Sequence, residues 1–165
     1  MEQSAISLVV SVVAIILALF ALLKPQKTEP KEKSSFDTKP LQLQAYERLV
    51  LLIERIALPN LISRTVQPNV PAKEAQLYLI EGIKQEFEYN ASQQIYVSAI
   101  AWDAVRNLRD QNLLIINQVA GLLPPDATGN DLAKKVLDVI MQQQDAALHT
   151  IVLNAVNFEA KKIMQ

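Results

Sequence analysis

The residues best suited to chemistry are His149, the only histidine of the chain, and Asp145, four positions before it. On a helix this spacing brings the two side chains together, so the carboxylate could orient the imidazole as a general base or a metal ligand. A histidine-based metal site needs further ligands, and the chain has no cysteine, no second histidine and no Glu-x-x-His pattern. We therefore favour the alternative, a surface or half-buried pair without a catalytic role.

Three glutamates around Lys84 form a second candidate, a cation site: Glu81, Glu86 and Glu88. Helical spacing spreads these carboxylates over different faces, which favours a solvated surface over an ion site.

Two aromatic residues and two arginines form a third candidate: Tyr96, Trp102, Arg106 and Arg109. They could stack on a nucleotide or a partner. A tryptophan in an apolar repeat is more typical of a core, and the arginines then pair with neighbouring acids such as Asp103 and Asp110.

Motifs for nucleophilic or phosphate chemistry are missing from the sequence. No serine lies in a G-x-S-x-G pattern, and neither of the glycine-rich phosphate-binding patterns occurs. The sequence therefore predicts no catalytic, cofactor-binding or metal-binding residues and a protein that is not an enzyme.

Composition narrows the class of protein further. The chain has 165 residues, 16 Lys+Arg against 17 Asp+Glu, and three glycines. A net charge of −1 gives no basic surplus for phosphate, so no nucleic-acid partner is expected. Few glycines disfavour a β-rich fold with many tight turns.

Residues 1–23 are predicted to be a membrane anchor. Positions 6–23 read ISLVVSVVAIILALFALL, without a charge, and a helix of this length is about 27 Å long, close to the thickness of the hydrocarbon layer. A cleaved signal peptide would need a basic start and a small-x-small cleavage site, and the leader MEQSA has no basic residue.

The charges on either side of this segment predict its orientation. No lysine or arginine precedes it, and Lys24, Lys27, Lys31, Lys33 and Lys39 follow it. Because cytoplasmic flanks carry the excess of positive charge, we expect a single span with the N-terminus outside and the rest of the chain in the cytoplasm.

The small residues of the span form one stripe at spacings of four and three: Ser7, Ser11, Ala14, Ala18 and Ala21. Small side chains let membrane helices approach closely. The stripe therefore predicts a packing face for a second copy of the chain or for another membrane protein.

Residues 24–40 contain three prolines and five lysines and are predicted to be a flexible linker. Residues 41–165 then show helical periodicity almost throughout, which predicts an all-α cytoplasmic domain. We expect helix A over Leu41–Leu58, ended by Pro59, a proline-rich loop with at most a helical turn near Leu61, and helix B from Pro71 to Tyr89, with Asn90 as its left-handed end.

Two longer helices are expected to follow. Ser92 is predicted to cap helix C, whose heptad stripe consists of Val97, Ala101, Ala104, Leu108, Ile115, Val119 and Leu122. Thr128 and Asp131 predict a capping box for helix D, whose stripe consists of Val136, Ile140, Ala147, Ile151, Ala155 and Phe158. Because helix D would exceed 30 residues and is polar at 142–145, it outruns its domain, bends, or packs on something else there. A strand at 94–98 would have no partner strand, so a four-helix bundle with coiled-coil-like contacts is predicted.

The stretches QAYERLVLLIERI at 44–56 and EFEYNASQQIYVSAIAW at 86–102 resemble an uncharacterised family of small bacterial membrane proteins. The resemblance implies one N-terminal span, a helical cytoplasmic domain and a bacterial inner (cytoplasmic) membrane location. It implies no reaction, cofactor or catalytic residue.

The expected function is that of a membrane-anchored structural or interaction protein, a scaffold or accessory subunit. Its partners would be the membrane, a protein bound through the anchor and a protein bound by the helical domain. The alternative is a tethered helical module that senses a ligand or lipid in a pocket between helices.

Overall fold

The computed structural model describes residues 37–67, 69–143 and 146–165. This part of the chain forms six α-helices, one 3₁₀-helix and no strand, so the all-helical prediction is confirmed for it: α1 Lys39–Ile56, α2 Leu58–Thr65, α3 Ala72–Tyr89, η1 Ala91–Ile95, α4 Ala99–Gly121, α5 Gly129–Gln143 and α6 Ala146–Ile163. The predicted anchor and the linker as far as residue 36 lie outside the described residues.

Helix α1 agrees with predicted helix A to within two residues at each end. It begins earlier because Pro40 lies in its first turn, where a missing N–H costs nothing. The chain leaves the helix at Ala57, which has an extended ψ of 123°. Pro59 therefore lies in the first turn of the next helix and does not simply end α1.

Helix α2 occupies the segment that the sequence predicts to be a loop. Leu58, Leu61 and Ile62 are buried, at the three- and four-residue spacing of a helix face. Eight residues make a marginal helix in isolation. Burial of this face in the core stabilises the helix. The sequence predicts a loop here because Pro59 and Pro68 are close together, and it does not show that this face is buried.

Helix α3 begins directly after Pro71 and ends at Tyr89, as predicted. The prediction that Asn90 is left-handed is wrong, because its φ is −101°. The side chain is buried and donates from Nδ2 to the carbonyl oxygen of Glu86 at 2.8 Å. Asn90 thus satisfies a free carbonyl of the last helical turn through its amide.

Helix α4 is shorter at its start than predicted helix C. Ser92 lies in η1, and Ser98 is the residue whose Oγ accepts from the Ala101 N–H at 3.0 Å. The predicted stripe is buried or half-buried from Val97 to Val119. Leu122 is wrong as a core residue: it is 78% exposed because it follows the last residue of the helix.

Helices α5 and α6 occupy the region of predicted helix D. The capping box is confirmed, since the Thr128 N–H donates to Asp131 Oδ2 at 2.9 Å and the Asp131 N–H donates to Thr128 Oγ1 at 3.3 Å. Helix α5 is described as far as Gln143 and α6 from Ala146 onward, so the predicted continuity of helix D through residues 144–145 lies outside the described residues. The polar stretch at 142–145, where the sequence predicts a bend as one alternative, lies at this junction.

The buried face changes between these two helices. Val136 and Ile140 of α5 are buried as predicted, whereas in α6 the buried residues are Val152 and Val156. Three residues of the predicted stripe are exposed instead: Ile151, Ala155 and Phe158. The shift by one residue corresponds to about 100° around a helix. Since α5 packs on α3 and α6 packs on α1, the two helices turn different faces inward.

Helix α4 contacts α1, α3, α5 and α6, and α1 also packs on α6. The expectation of four helices, with two long ones at the C-terminal end, is therefore wrong in number for the described residues. Fully buried side chains from all six α-helices form the core, and its largest members are Leu49, Leu52, Ile53, Ile56, Leu61, Leu79, Ile83, Ile116 and Leu132, with Val156 contributed by α6.

The loops before α3 and before α5 are joined by backbone hydrogen bonds. The Gly129 N–H donates to the carbonyl oxygen of Val70 at 2.7 Å, and the Ala72 N–H donates to that of Ala127 at 2.9 Å. A Cβ atom at Gly129 would lie 2.9 Å from the Gln67 carbonyl oxygen, closer than real Cβ contacts. Glycine at 129 therefore allows this close approach of two backbones.

Replacing Gly129 with alanine is expected to lower the free energy of unfolding by about 1–3 kcal/mol, because the loops must separate. Gly121→Ala is the control: no atom lies within 4 Å of its Cβ position, and it should leave stability unchanged or raise it by up to about 1 kcal/mol. Urea unfolding followed by Trp102 fluorescence measures both. Equal effects of the two substitutions would contradict the assigned role of Gly129.

Candidate functional site

The chain's single histidine lies at the side of a cavity. This cavity, which we name the His149 cavity, has a volume of about 270 Å³. Four segments of chain line it, contributing Ala57, Leu58, Pro59 and Asn60 from the α1–α2 junction, Leu108, Gln111, Asn112 and Ile115 from α4, Ile140 from α5, and Leu148, His149 and Thr150 from α6. Its lining is mainly apolar, with a few polar groups, which is typical of small-molecule sites.

The break between α1 and α2 shapes one wall of this cavity. Because the chain is extended at Ala57, the Ile56 carbonyl oxygen lies at the end of α1. Asn112 is only 6% exposed and donates from Nδ2 to that oxygen at 2.8 Å. A buried carbonyl without a donor would cost about 1–3 kcal/mol, so Asn112 stabilises the junction and places its amide at the cavity.

Asn112 is the site residue that sequence reasoning missed. Between Leu108 and Ile115 the spacing of the predicted stripe falls on Gln111, whereas the buried polar residue is Asn112. The signal was present, because Asn112 continues the series Val105, Leu108 and Ile116 at spacings of three and four. A polar residue in such a series indicates a buried hydrogen bond.

His149 lies close to a carboxylate that the sequence does not predict as its neighbour, Glu54. Its Nε2 lies 3.6 Å from Glu54 Oε1, whereas Asp145 lies outside the described residues. Glu54 is held in place by Asn60, whose Nδ2 donates to the Glu54 carbonyl oxygen at 3.0 Å and lies 3.3 Å from Oε2. At 3.6 Å the histidine contact is too long for a hydrogen bond. In the part of the chain that the structure describes, Nε2 is buried without a hydrogen-bond partner.

The residues of the arginine and aromatic candidate do not form one site, since Trp102 and Arg109 contact Phe87 whereas Tyr96 lines a cavity with Tyr46 and Glu159. Trp102 is 8% exposed and packs against Phe87, with the ring centroids 5.0 Å apart, so the core interpretation is confirmed. Arg109 also contacts this phenylalanine, since its Cζ lies 4.2 Å from the centre of the Phe87 ring. As predicted, Arg106 pairs with Asp103 and Arg109 pairs with Asp110. The buried tryptophan offers no free face for a nucleotide.

The acidic candidate divides between two environments. Glu81 accepts from Gln85 at the surface, as a solvated face predicts. Glu86 is only 18% exposed and pairs with Arg55 at 2.7 Å and Arg64 at 3.7 Å, so the solvated prediction is wrong for this residue. The physical reason is that α1 and α2 both approach α3 here. Within residues 37–67, 69–143 and 146–165, no group of three His, Asp or Glu side chains could hold a metal ion.

A second cavity, of about 470 Å³, lies where α1 and α4 begin and α6 ends. We call this region the proximal end, because the first described helix begins there. Tyr46 donates from its hydroxyl to Glu159 Oε2 at 2.6 Å and accepts from the Ser98 N–H at 3.0 Å, and Ser98 Oγ donates to Glu159 Oε2 at 2.5 Å. Burial raises the pKa of the Tyr46 hydroxyl, and the hydrogen bond to Glu159 raises it further. This network joins three helices around one carboxylate.

Apolar side chains are exposed on α6 and at the proximal end. Ile151 and Phe158 are 61% and 60% exposed, and with Ala155 they form what we call the outer stripe of α6. The end of η1, the turn after it and the start of α4 add three further exposed side chains, namely Ile95, Tyr96 and Ile100. Single exposed apolar residues are ordinary, but a series along one helix face is typical of an interaction surface.

The predicted membrane-packing residues lie outside the described residues: Ser7, Ser11, Ala14, Ala18 and Ala21. Among the helices that the structure describes, none combines the length and the apolar character needed to cross a bilayer.

Comparison with known proteins places the chain in one family. No curated protein and no solved structure matches it. A family model matches residues 3–163, a span that includes the apolar segment 6–23 and runs to the last residue of α6. The predicted membership of an uncharacterised family is thereby confirmed. The chain belongs to DUF7935, a family of unknown function.

Proposed function

We propose that the protein is a membrane-anchored interaction protein, a scaffold or accessory subunit with a binding rather than a catalytic role. Segment 6–23 crosses a bacterial inner membrane once, and the helical domain binds a partner protein in the cytoplasm. The observation that carries the proposal is the outer stripe of α6. Its residues have the spacing of core positions, yet Ile151 and Phe158 are more than half exposed, so a partner helix could bury them.

The anchor part of the proposal rests on sequence. The segment 6–23 has no charge over eighteen residues, and lysines follow it but do not precede it. The family match includes this segment together with the helices, which supports a protein in which both act as one unit.

Photo-crosslinking tests the partner surface. A benzophenone amino acid placed at Phe158 or Ile151 of the full-length protein in its native membrane should give a crosslinked product. The same amino acid at Leu122 is the control. Leu122 is 78% exposed, but it follows the C-terminal end of α4 and does not belong to the outer stripe of α6. Products at 151 and 158 and none at 122 would support the proposal, whereas no product at 151 and 158, or equal products at all three positions, would overturn it.

A double substitution tests the stripe of small residues in the span. Ala14→Leu with Ala18→Leu should weaken association through the anchor by about tenfold, since larger side chains keep helices apart. Val13→Leu with Ile15→Leu changes positions off the stripe and should leave association unchanged. Oligomer size and co-purifying protein in detergent provide the measurement, and an unchanged assembly in the first variant would remove the stripe from the proposal.

A ligand-binding role is the second candidate function, and the His149 cavity is the observation that favours it. In this role the helical domain would change its stability or its contacts when a small molecule fills the space between α2, α4 and α6.

A further inference from the structure

We propose that the His149 cavity binds a small, uncharged molecule with an apolar chain and a single hydroxyl-like end group, such as a medium-chain alcohol. The inference deepens the second candidate function and does not depend on the anchor. It rests on the size of the cavity, on its lining and on two polar atoms at its wall.

The volume sets the size of the ligand. A cavity of about 150 Å³ accommodates benzene, which has six carbon atoms, so about 270 Å³ corresponds to about ten non-hydrogen atoms. A ligand that fills this space makes dispersion contacts with the lining.

The lining indicates an apolar chain. Leu108 and Ile115 on α4, Ile140 on α5 and Leu148 on α6 contribute branched aliphatic side chains. Ile115 is 3% and Ile140 9% exposed, so these two lining side chains belong to the buried core of the domain. Such walls recognise hydrocarbon and give no orientation by themselves.

The polar atoms at the cavity wall determine which end group of the ligand is favoured. Asn112 uses Nδ2 for the Ile56 carbonyl, so its amide oxygen is the atom that can accept from a ligand hydroxyl. His149 Nε2 is buried with no hydrogen-bond partner among the described residues. A ligand hydroxyl has one hydrogen, which it can donate to the Asn112 amide oxygen while its own oxygen accepts from His149 Nε2 when that nitrogen carries a hydrogen.

Charge excludes a carboxylate end group. Glu54 Oε1 lies 3.6 Å from His149 Nε2, so a ligand carboxylate at the histidine would meet a second negative charge at short range. The favoured ligand is therefore neutral at its polar end, and a fatty acid of the same length should bind more weakly.

Photolabelling with a diazirine analogue of 1-octanol tests the inference on the full-length protein in lipid nanodiscs. Peptide mass mapping should place label on Leu108, Ile140 or Leu148, and an excess of 1-octanol should reduce that label by about tenfold, while octanoate should not. Ile140→Phe fills the cavity and should abolish cavity labelling. Leu77→Phe, at an exposed position on α3, is the matched control and should leave it unchanged.

Several results would overturn the inference. Label confined to exposed positions, label that 1-octanol does not compete away, or unchanged cavity labelling in a folded Ile140→Phe protein would each exclude this binding site. Competition by octanoate equal to that by 1-octanol would exclude the neutral end group. If Ile140→Phe fails to fold, as judged by Trp102 fluorescence, Leu148→Phe replaces it with the same expected loss. The crosslink at Phe158 does not involve the cavity, so failure of this inference and failure of the interaction proposal are distinguishable.

Discussion

Replacing Val156 with aspartate is expected to unfold the helical domain or to lower its free energy of unfolding by about 4 kcal/mol or more. Val156 is fully buried against α1 and α4, and a carboxylate there would lose its hydration without gaining a cationic partner. The same replacement at Ile151 puts the charge on the outer stripe of α6, which is 61% exposed, and should change stability by no more than about 0.5 kcal/mol.

Trp102 provides the measurement for this pair of variants. It is the only tryptophan of the chain and is buried in the helical domain, so its fluorescence during urea unfolding reports on that domain alone. The heptad pattern of the sequence predicts the reverse order, with Ile151 in the core. A larger loss of stability for Ile151→Asp than for Val156→Asp would therefore show that the described orientation of α6 is wrong.

Replacing Tyr46 with phenylalanine is expected to cost about 1–3 kcal/mol of unfolding free energy. The tyrosine ring is 3% exposed, and without its hydroxyl the Ser98 N–H loses its acceptor and Glu159 loses one of its two donors. Tyr78→Phe is the matched control, since Tyr78 also donates to a glutamate, Glu74, but is 42% exposed.

The same substitution carries a pH signature. Because the pKa of Tyr46 is raised above the ordinary value of 10.0, the folded protein keeps this proton at a pH where the unfolded chain has begun to lose it. The stabilisation is therefore fully present below about pH 10 and is lost as the pH rises through the folded-state pKa. The difference in unfolding free energy between wild type and Tyr46→Phe should narrow above pH 10. A difference that is constant from pH 7 to pH 11 would contradict the buried hydrogen bond.

Local sequence determined much of the helical structure. The spans of α1 and α3, the capping box of Thr128 and Asp131, and the burial of Trp102 all follow from signals within a few residues of each other. Such signals act through backbone sterics and through hydrogen bonds between near neighbours, so they operate whatever the rest of the chain does.

The site depended on contacts that no local pattern contains. Glu54 and His149 are 95 positions apart, and Asn112 reaches a carbonyl 56 positions away, so neither contact has a spacing that could be read along the chain. The choice between Ser92 and Ser98 as a helix cap is of the same kind, because both are serines and only Ser98 meets Tyr46 and Glu159.

The sequence by itself determined that the described part of residues 41–165 is mainly helical, without strands, and that the segment 6–23 carries no charge. Tertiary structure alone decided which face of α6 is buried, since an apolar residue on nearly every side of that helix allows more than one orientation. Packing against α1 and α4 selected Val152 and Val156, and Ile151 and Phe158 were left at the surface. Burial of apolar area is nearly equal for competing faces of such a helix, so the shape of the neighbouring helices decides between them.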